Sequence, residues 1–228
     1  MAQIKKVLIF DSGALINLAM NGLLHILPEL KKSFNGKFII TKSVKYEIID
    51  RPINVQRFEL EALRIKQLLE SKVIELPDAI GIEEKVIEKL TKELMDFANH
   101  TIQSQGRWIQ IVSDAEMSCL ALSTECTKSG ISNLIAIDER TTRLLSENPE
   151  GLEELMEKKL HMPAKLASSS TNIFSSYKFI RSSELVYVAS KKNLLQISDP
   201  KALEAALYAT KFHGAAISWE EINELKKL

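Results

Sequence analysis

The stretch LIAIDERTTRLL, residues 134–145, begins as an apolar run of strand length and ends without a spacer on Asp138 and Glu139. Residues 7–19, VLIFDSGALINLA, repeat this pattern and end their apolar run on Asp11. Continuous apolar runs of this length are typical of parallel strands that are covered on both faces. Ligands bind outside the carboxyl ends of such strands. The two stretches therefore predict a sheet edge that carries two aspartates.

The rest of the chain alternates short apolar runs with helical patterns. A β-rich run covers 37–40, and helical patterns cover 55–70, 82–103 and 113–130. The last of these has a serine cap, acids in its first turn and a glycine stop. Such alternation predicts an α/β fold, here a three-layer α/β/α sandwich with a mostly parallel central sheet.

The chain is long enough for one enlarged domain. We expect residues 1–150 to form the core, and residues 151–228 to form a C-terminal helical extension packed on the same domain. Three short helical patterns occur in this second part. The serine-rich stretch at 167–177 predicts a surface loop that precedes all three.

Composition limits the function classes. Lys and Arg total 30, and so do Asp and Glu, which argues against a protein that coats nucleic acid through bulk charge. Contact with nucleic acid must then come from local patches. No apolar stretch approaches the roughly 20 residues of a membrane helix, and the N-terminus lacks a signal-peptide layout, so a cytoplasmic location is expected. Cys119 and Cys126 lack a CxxC spacing and are predicted to be buried thiols.

Five acids are candidates for one site. Asp11 and Asp138 follow strands, Glu47 follows the run at 37–40, and Asp114 and Glu116 open a helix. Taken singly, each has a simpler explanation as a helix cap or a surface residue. Gathered together they would repel one another unless a cation neutralised them, and oxygen ligands select Mg²⁺ or Mn²⁺. Such an ion activates water and stabilises a leaving oxygen, so phosphate-ester hydrolysis is the natural chemistry.

Four segments together resemble the PIN domain, a family of metal-dependent ribonucleases. They are VLIFDSGALINL with Asp11, TKSVKYEII with Glu47, DAEMSCLAL with Asp114, and LIAIDERTTRLL with Asp138. They follow the family order, and the resemblance covers about residues 4–148. It implies that these four acids are catalytic and bind the metal, with Glu116 as a fifth ligand or a substitute for Asp114. It also implies that the extension adds helices to a PIN-like sandwich.

The resemblance implies a divalent-metal-dependent endoribonuclease that uses Mg²⁺ or Mn²⁺ and acts on RNA. The alternative is a PIN-fold module that binds RNA or protein without cleaving it. The balanced charge favours this alternative, as does Ala136, which stands where the family often has a hydroxyl residue. Two further partner hypotheses are a homodimer formed through the C-terminal helices and an antitoxin-like or RNA-processing protein. No membrane partner is expected.

Basic residues near the acids are candidate substrate contacts. We expect Arg140, Arg143, Lys45 and the hydroxyl of Ser12 to contact RNA. For Arg140, a bidentate bond to a phosphate and a salt bridge to a neighbouring acid both remain open. A second basic set could form an RNA-facing patch, although a solvated face is the better explanation; it comprises Lys178, Arg181, Lys191 and Lys192. Trp108 and Trp219 are candidates for base stacking, although a core or dimer contact is the simpler explanation for both.

Overall fold

The computed structural model describes residues 5–167 and 171–228, so Ser168–Ser170 of the predicted serine-rich loop lie outside it. The elements are β1 (Lys6–Phe10), α1 (Ser12–Met20), α2 (Ile26–Phe34), β2 (Lys37–Ile39), α3 (Lys42–Lys45), α4 (Glu59–Glu70), α5 (Glu84–Asn99), β3 (Ile102–Ser104), β4 (Arg107–Trp108), α6 (Asp114–Lys128), β5 (Ser132–Ala136), α7 (Arg140–Glu147), α8 (Gly151–Leu160), β6 (Lys165–Leu166), β7 (Phe179–Ile180), α9 (Ser182–Lys191), α10 (Ala202–Phe212) and α11 (Trp219–Lys227). A π-helical turn at Tyr46–Asp50 continues α3, and 3₁₀ turns occupy Pro52–Asn54, Pro77–Ile80 and Thr171–Phe174.

The main sheet has four strands in the order β2-β1-β5-β7, and every neighbouring pair is parallel. Leu8 in β1 is paired with Phe38 on one side and Leu134 on the other, and Phe10 is paired with Ala136. The expected α/β fold with a parallel sheet is therefore confirmed. Helices connect the strands, an arrangement compatible with a three-layer α/β/α fold. A smaller antiparallel sheet has the order β4-β3-β6.

The C-terminal part contributes two strands, β6 and β7, as well as helices. β7 lies within residues 151–228, so the main sheet crosses the expected boundary at residue 150. A two-residue strand has no periodicity for sequence analysis to detect, and it forms only because β5 supplies its partner. Residues 72–76 resemble a strand in sequence but form only a single bridge, between Ile39 and Glu75.

Aromatic packing fills the core beside the sheet. Phe10 and Phe38 are buried on adjacent strands with ring centroids 5.3 Å apart in an edge-to-face arrangement. Cys119 and Cys126 are free buried thiols, as predicted. Of the helices in the described ranges, none is long and apolar enough to cross a membrane.

A second, smaller apolar cluster joins α10 to α11. It consists of Leu207, Ala215, Ile217 and Ile222. Two buried polar side chains connect this region to the main domain. Asn17 in α1 donates through Nδ2 to the carbonyl of Thr210, at 2.8 Å. Arg181 donates to Glu184, Glu221 and the carbonyl of Ala216, which holds the starts of α9 and α11 together.

We predict that Gly36→Ala destabilises the fold. An added Cβ would lie 2.6 Å from the carbonyl oxygen of Lys6 and 2.6 Å from the Phe34 ring, at the point where the chain enters β2. A clash with backbone cannot relax by a rotamer change, so the free energy of unfolding should fall by roughly 1–3 kcal/mol. Urea denaturation measures this change.

Gly151→Ala is the matched control. Its added Cβ would approach only the side chains of Asn148 and Leu144, at 3.3 and 3.4 Å, and alanine favours a helix. Stability should change by less than about 1 kcal/mol. Equal losses in the two variants would show that the approach of Gly36 to β1 is not as tight as described.

Candidate functional site

Asp11 and Asp138 lie at the same edge of the main sheet. The N–H of Asp11 donates to the carbonyl of Ala136 at 2.9 Å, which extends the pairing of β1 with β5 past the last strand residue. Gly13 lies between the two acids. A Cβ added to Gly13 would be 3.4 Å from Oδ2 of Asp11 and 3.9 Å from Cβ of Asp138. The two aspartates that the sequence predicted at one edge are therefore neighbours.

The Asp11 carboxyl is buried and only half satisfied. Its Oδ2 accepts a hydrogen bond from the N–H of Gly13 at 3.1 Å and caps α1. Its Oδ1 has no hydrogen-bond partner among the described residues, and the neighbouring hydroxyl of Ser12 is also buried without one. Burial raises the pKa of Asp11 to about 8, and repulsion by Glu116 and Glu47 adds to the rise. The N–H groups of Gly13 and Ser12 partly oppose it.

Glu116 is the acid of α6 whose charge helps to raise the pKa of Asp11. Its Oε2 accepts from the N–H of Ser113 at 3.2 Å and from the hydroxyl of Thr142 at 2.7 Å. Burial raises the pKa of Glu116 despite these bonds, and repulsion from Glu139 adds to the shift. Glu116 is therefore held by two elements, α6 and α7, in a position where its charge is costly.

Three of the acids affect the pKa of the Cys119 thiol. Burial raises the pKa of this thiol well above its usual value, and the charges of Asp11, Glu116 and Glu47 raise it further. Its Sγ lies 3.6 Å from the carbonyl oxygen of Phe10, directly under the strand end. Glu47, half-buried on the π-helical turn, thus belongs to the same electrostatic environment as Asp11.

Asp138 is turned towards α9. Its Oδ1 accepts from the N–H of Ser182 at 2.8 Å, and its Oδ2 accepts from the hydroxyl of the same residue at 2.6 Å. Burial raises the pKa of Asp138, whereas the bonds from Ser182 and the nearby Asn17 and Arg181 lower it. The adjacent Glu139 has a different task, because it caps α7 by accepting from the N–H of Thr142 at 3.2 Å.

Asp114 lies apart from this group. It is exposed, and its Oδ2 accepts from the hydroxyl of Ser43 at 2.6 Å. Together with Glu84 and Glu88 it lines a small pocket of about 70 Å³. Residues two apart on a helix do not share a face, so α6 cannot present both Asp114 and Glu116 to Asp11. Of the two residues that the sequence offered for this role, the structure brings Glu116 to the site.

The acids fit a cation chemically, although their side chains do not enclose one. Within residues 5–167 and 171–228, no three Asp, Glu, His or Cys side chains are grouped closely enough to hold a metal ion. The unpartnered Oδ1 of Asp11 nevertheless lacks the positive partner that its charged form requires. A divalent ion would satisfy this oxygen and offset the repulsion from Glu116 and Glu47. Asp11 is therefore the residue that would contact the ion, and Glu116 and Glu47 are the nearby charges that the ion would offset.

The basic residues predicted to contact RNA differ in whether an acid already pairs with them. Lys45 is paired with Asp50 at 2.6 Å, and Arg143 with Glu147 at 3.1 Å. The Nε of Arg143 is buried and has no partner among the described residues. Arg140 is exposed at the first position of α7.

Three residues that support the acids were not predicted from the sequence. Ser182 binds Asp138, Thr142 binds Glu116, and Asn17 lies beside Asp138. Asn17 had a detectable signal, since it is a polar residue within the otherwise apolar face of α1. The other two are hydroxyl residues at helix starts, a common cap pattern that does not reveal a distant partner.

Comparison of the chain with protein-family models, with curated proteins and with solved structures finds no match.

We predict that the metal-free protein loses stability as the pH rises. The pKa of Asp11 is raised to about 8 in the folded state, so the native protein binds this proton more tightly than the unfolded chain does. The stabilisation that this proton gives the folded state is fully present below about pH 4 and is lost as the pH approaches 8. The free energy of unfolding should change by at most about 1.4 kcal/mol per pH unit. Urea denaturation in EDTA between pH 5 and 8.5 measures it.

Asp11→Asn is the comparison, because the amide keeps an oxygen for the Gly13 N–H and does not ionise. The variant should show a shallower pH dependence than the native chain. Parallel curves for the two proteins would exclude Asp11 as the group that titrates.

Proposed function

We propose that the protein is a divalent-metal-dependent endoribonuclease of PIN-like fold, which hydrolyses RNA phosphodiester bonds at the acids around Asp11. One observation carries the proposal. Asp11 is buried at the end of β1 with one carboxylate oxygen unpartnered in the described structure, and Glu116 and Glu47 raise its pKa. A buried acid with a strongly raised pKa and an unpartnered oxygen is typical of a functional site.

The chain's own residues have separable tasks in this proposal. Asp11, Glu116 and Glu47 would hold Mg²⁺ or Mn²⁺. Asp138, fixed by Ser182, lies across Gly13 from Asp11. When bound, the ion supplies the positive charge that activates a water molecule and stabilises the leaving oxygen. Thr142 and the N–H of Ser113 orient Glu116, so that it approaches Asp11 without a rotamer search.

The second candidate is a PIN-like module that binds RNA or protein without cleaving it. Its supporting observation is the state of Asp138, both of whose oxygens accept hydrogen bonds from Ser182. An acid that only anchors the start of α9 would have a structural role, and the remaining acids would then be too few for catalysis.

We predict that Mn²⁺ stabilises the native protein and activates it as a nuclease. Millimolar Mn²⁺ should raise the melting temperature by mass action, and a mixed RNA pool should be cleaved internally. Asp11→Asn should abolish both effects, with a rate loss of at least about 100-fold, because several kcal/mol of charge stabilisation are removed. Differential scanning fluorimetry and gel analysis of 5′-labelled RNA measure the two effects.

Asp138→Asn separates the two candidates. Loss of cleavage in this variant, with binding of RNA retained, supports the nuclease. A native protein that binds RNA but cleaves none in Mn²⁺ or Mg²⁺ would establish the non-cleaving module instead. Cleavage products that are identical in the native chain and in Asp11→Asn would reveal a contaminating nuclease.

We predict that the two acids at the start of α6 differ in importance. Glu116→Gln should lower the cleavage rate by at least about 100-fold, because it removes a charge that acts directly on Asp11. The amide oxygen of glutamine can still accept from Ser113 and Thr142, so folding should be retained. Asp114→Asn should remain within about threefold of the native rate. Single-turnover cleavage assays measure both.

These substitutions are matched in size and lie in the same helical turn. The opposite order, with Asp114→Asn inactive and Glu116→Gln active, would show that the site uses the outer face of α6. Thermal melts of both variants in EDTA verify that each rate is measured on folded protein.

A further inference from the structure

A groove of about 680 Å³ opens beside the acids. Helix α7 forms one wall, and the end of α10 with the start of α11 forms the other. Its principal lining residues are Arg140, Arg143, Lys211, Phe212 and Trp219. Three of these come from the C-terminal segment, in which Trp219 is one of the two tryptophans that the sequence offered as candidates for base stacking.

Two segments of the groove wall contact residues of the candidate site. The N–H of Ala216, on the groove wall, donates to the carbonyl of Asp138 at 3.2 Å. On the opposite wall, Arg143 follows Thr142, whose hydroxyl binds Glu116. The same two segments therefore support the acids and line the groove.

The groove has a local excess of positive charge in a chain whose net charge is zero. Four basic and two acidic side chains line it. The charge of Arg181 is neutralised by Glu184 and Glu221, at 2.6 and 2.7 Å. Arg140 is exposed, and Arg143 keeps its Nε without a partner in the described structure although its Nη2 contacts Glu147. This is the kind of local basic patch that a neutral protein needs to bind a polyanion.

Two aromatic rings stand at the mouth of the groove. Trp219 is 49% exposed and Phe212 is 72% exposed, and their ring centroids are 5.9 Å apart. Lys211 places its Nζ 5.1 Å from the centre of the Trp219 ring, a cation–π distance. Exposed aromatic rings beside basic side chains are the arrangement on which unpaired bases stack.

The wall that carries these rings is held rigidly. Ser218 and Glu221 form a reciprocal capping box at the start of α11, and the apolar cluster of α10 and α11 lies beneath it. The ammonium group of Lys211 also donates to the carbonyl of Ile217. Trp219 is thus presented to solvent by a fixed backbone, and little conformational entropy would be lost when a base stacks on it.

We infer that this groove binds single-stranded RNA, with phosphates at Arg140 and Arg143 and a base stacked on Trp219. The inference deepens the proposed nuclease function, on which the choice of RNA rests, by assigning its substrate groove to the C-terminal segment. A single strand is favoured over a duplex because stacking on an exposed ring requires an unpaired base. The groove would deliver the strand to the acids from the α7 side.

The test measures binding without cleavage. Fluorescence anisotropy of a labelled 12-nucleotide RNA of mixed sequence, in EDTA, gives the dissociation constant for the full chain. Trp219→Leu should weaken binding roughly 10-fold, because a base loses its stacking partner. Trp219→Phe should remain within about threefold, because a ring is retained. Trp108→Leu, which changes an equally exposed indole outside the groove, should bind as the native chain does.

Two further measurements examine the stacking and the charge. The chain contains two tryptophans, so Trp108→Phe leaves Trp219 as the only indole, and RNA should quench its fluorescence. Arg140→Gln should weaken binding and reduce the slope of log Kd against log salt by about one. Lys192 is an exposed lysine of the second basic set, and Lys192→Gln should change neither quantity.

Several results would overturn the inference. They are equal affinity of the native chain and Trp219→Leu, equal affinity for duplex and single-stranded RNA, and equally strong binding of inorganic polyphosphate, which has no bases. A stronger effect of Lys192→Gln than of Arg140→Gln would assign RNA to the other face. If single-stranded DNA binds as tightly as RNA, the groove is still a binding site for single strands, but RNA is not its specific ligand.

The groove and the nuclease can fail separately. RNA binding that Trp219→Leu weakens, together with no cleavage in Mn²⁺, would retain the groove and reject the nuclease. Cleavage by the native chain with an unchanged KM in Trp219→Leu would retain the nuclease and reject the groove. If Trp219→Leu unfolds, Trp219→Phe replaces it in this comparison, because the phenylalanine ring keeps the packing against Tyr208 and Lys211.

Discussion

The parallel pairing of β1 with β5 is the constraint on which the site depends. Phe10, the last residue of β1, is paired with Ala136, the last residue of β5. Asp11 follows Phe10 directly, and Asp138 stands two residues after Ala136. Successive residues of β1 face opposite sides of the sheet, and both sides are covered, so a shift of one residue would exchange the side chains that pack on each side. The register that buries Phe10 and Ile9 also brings the two acids to Gly13. Core packing and site geometry are set by the same hydrogen bonds.

The acids around this edge combine local and long-range roles. Asp11 caps α1, Glu116 completes the capping box of α6, and Asp138 binds the first residue of α9. Carboxylates are favoured at helix starts, where N–H groups are unpaired and the dipole is positive. The two explanations that the sequence left open for each acid, cap and site, are therefore compatible. The caps hold carboxylates in place at positions where burial makes their charged forms unfavourable.

The C-terminal segment has a larger part in the architecture than its sequence indicated. It supplies the outer strand β7, the serine that holds Asp138, and the wall that presents Trp219. None of these has a local signature. A two-residue strand is too short for periodicity, a serine before a helix resembles any cap, and an exposed tryptophan resembles a core residue in sequence. Each acquires its role from a partner more than 40 residues away, or from the buried Arg181 that joins α9 to α11.

The sequence by itself determined the α/β class, the two apolar strands that end on Asp11 and Asp138, the helix that begins at Asp114 and the burial of both cysteines. Apolar runs, turn residues and caps are local signals, and they report burial and chain direction directly. Only the tertiary structure decided that Glu116 rather than Asp114 acts on Asp11, that Ser182 holds Asp138, and that a basic groove with exposed rings adjoins the acids. The physical reason is that the packing of distant segments determines which face of a helix meets which partner, and the spacing of nearby residues does not encode that packing.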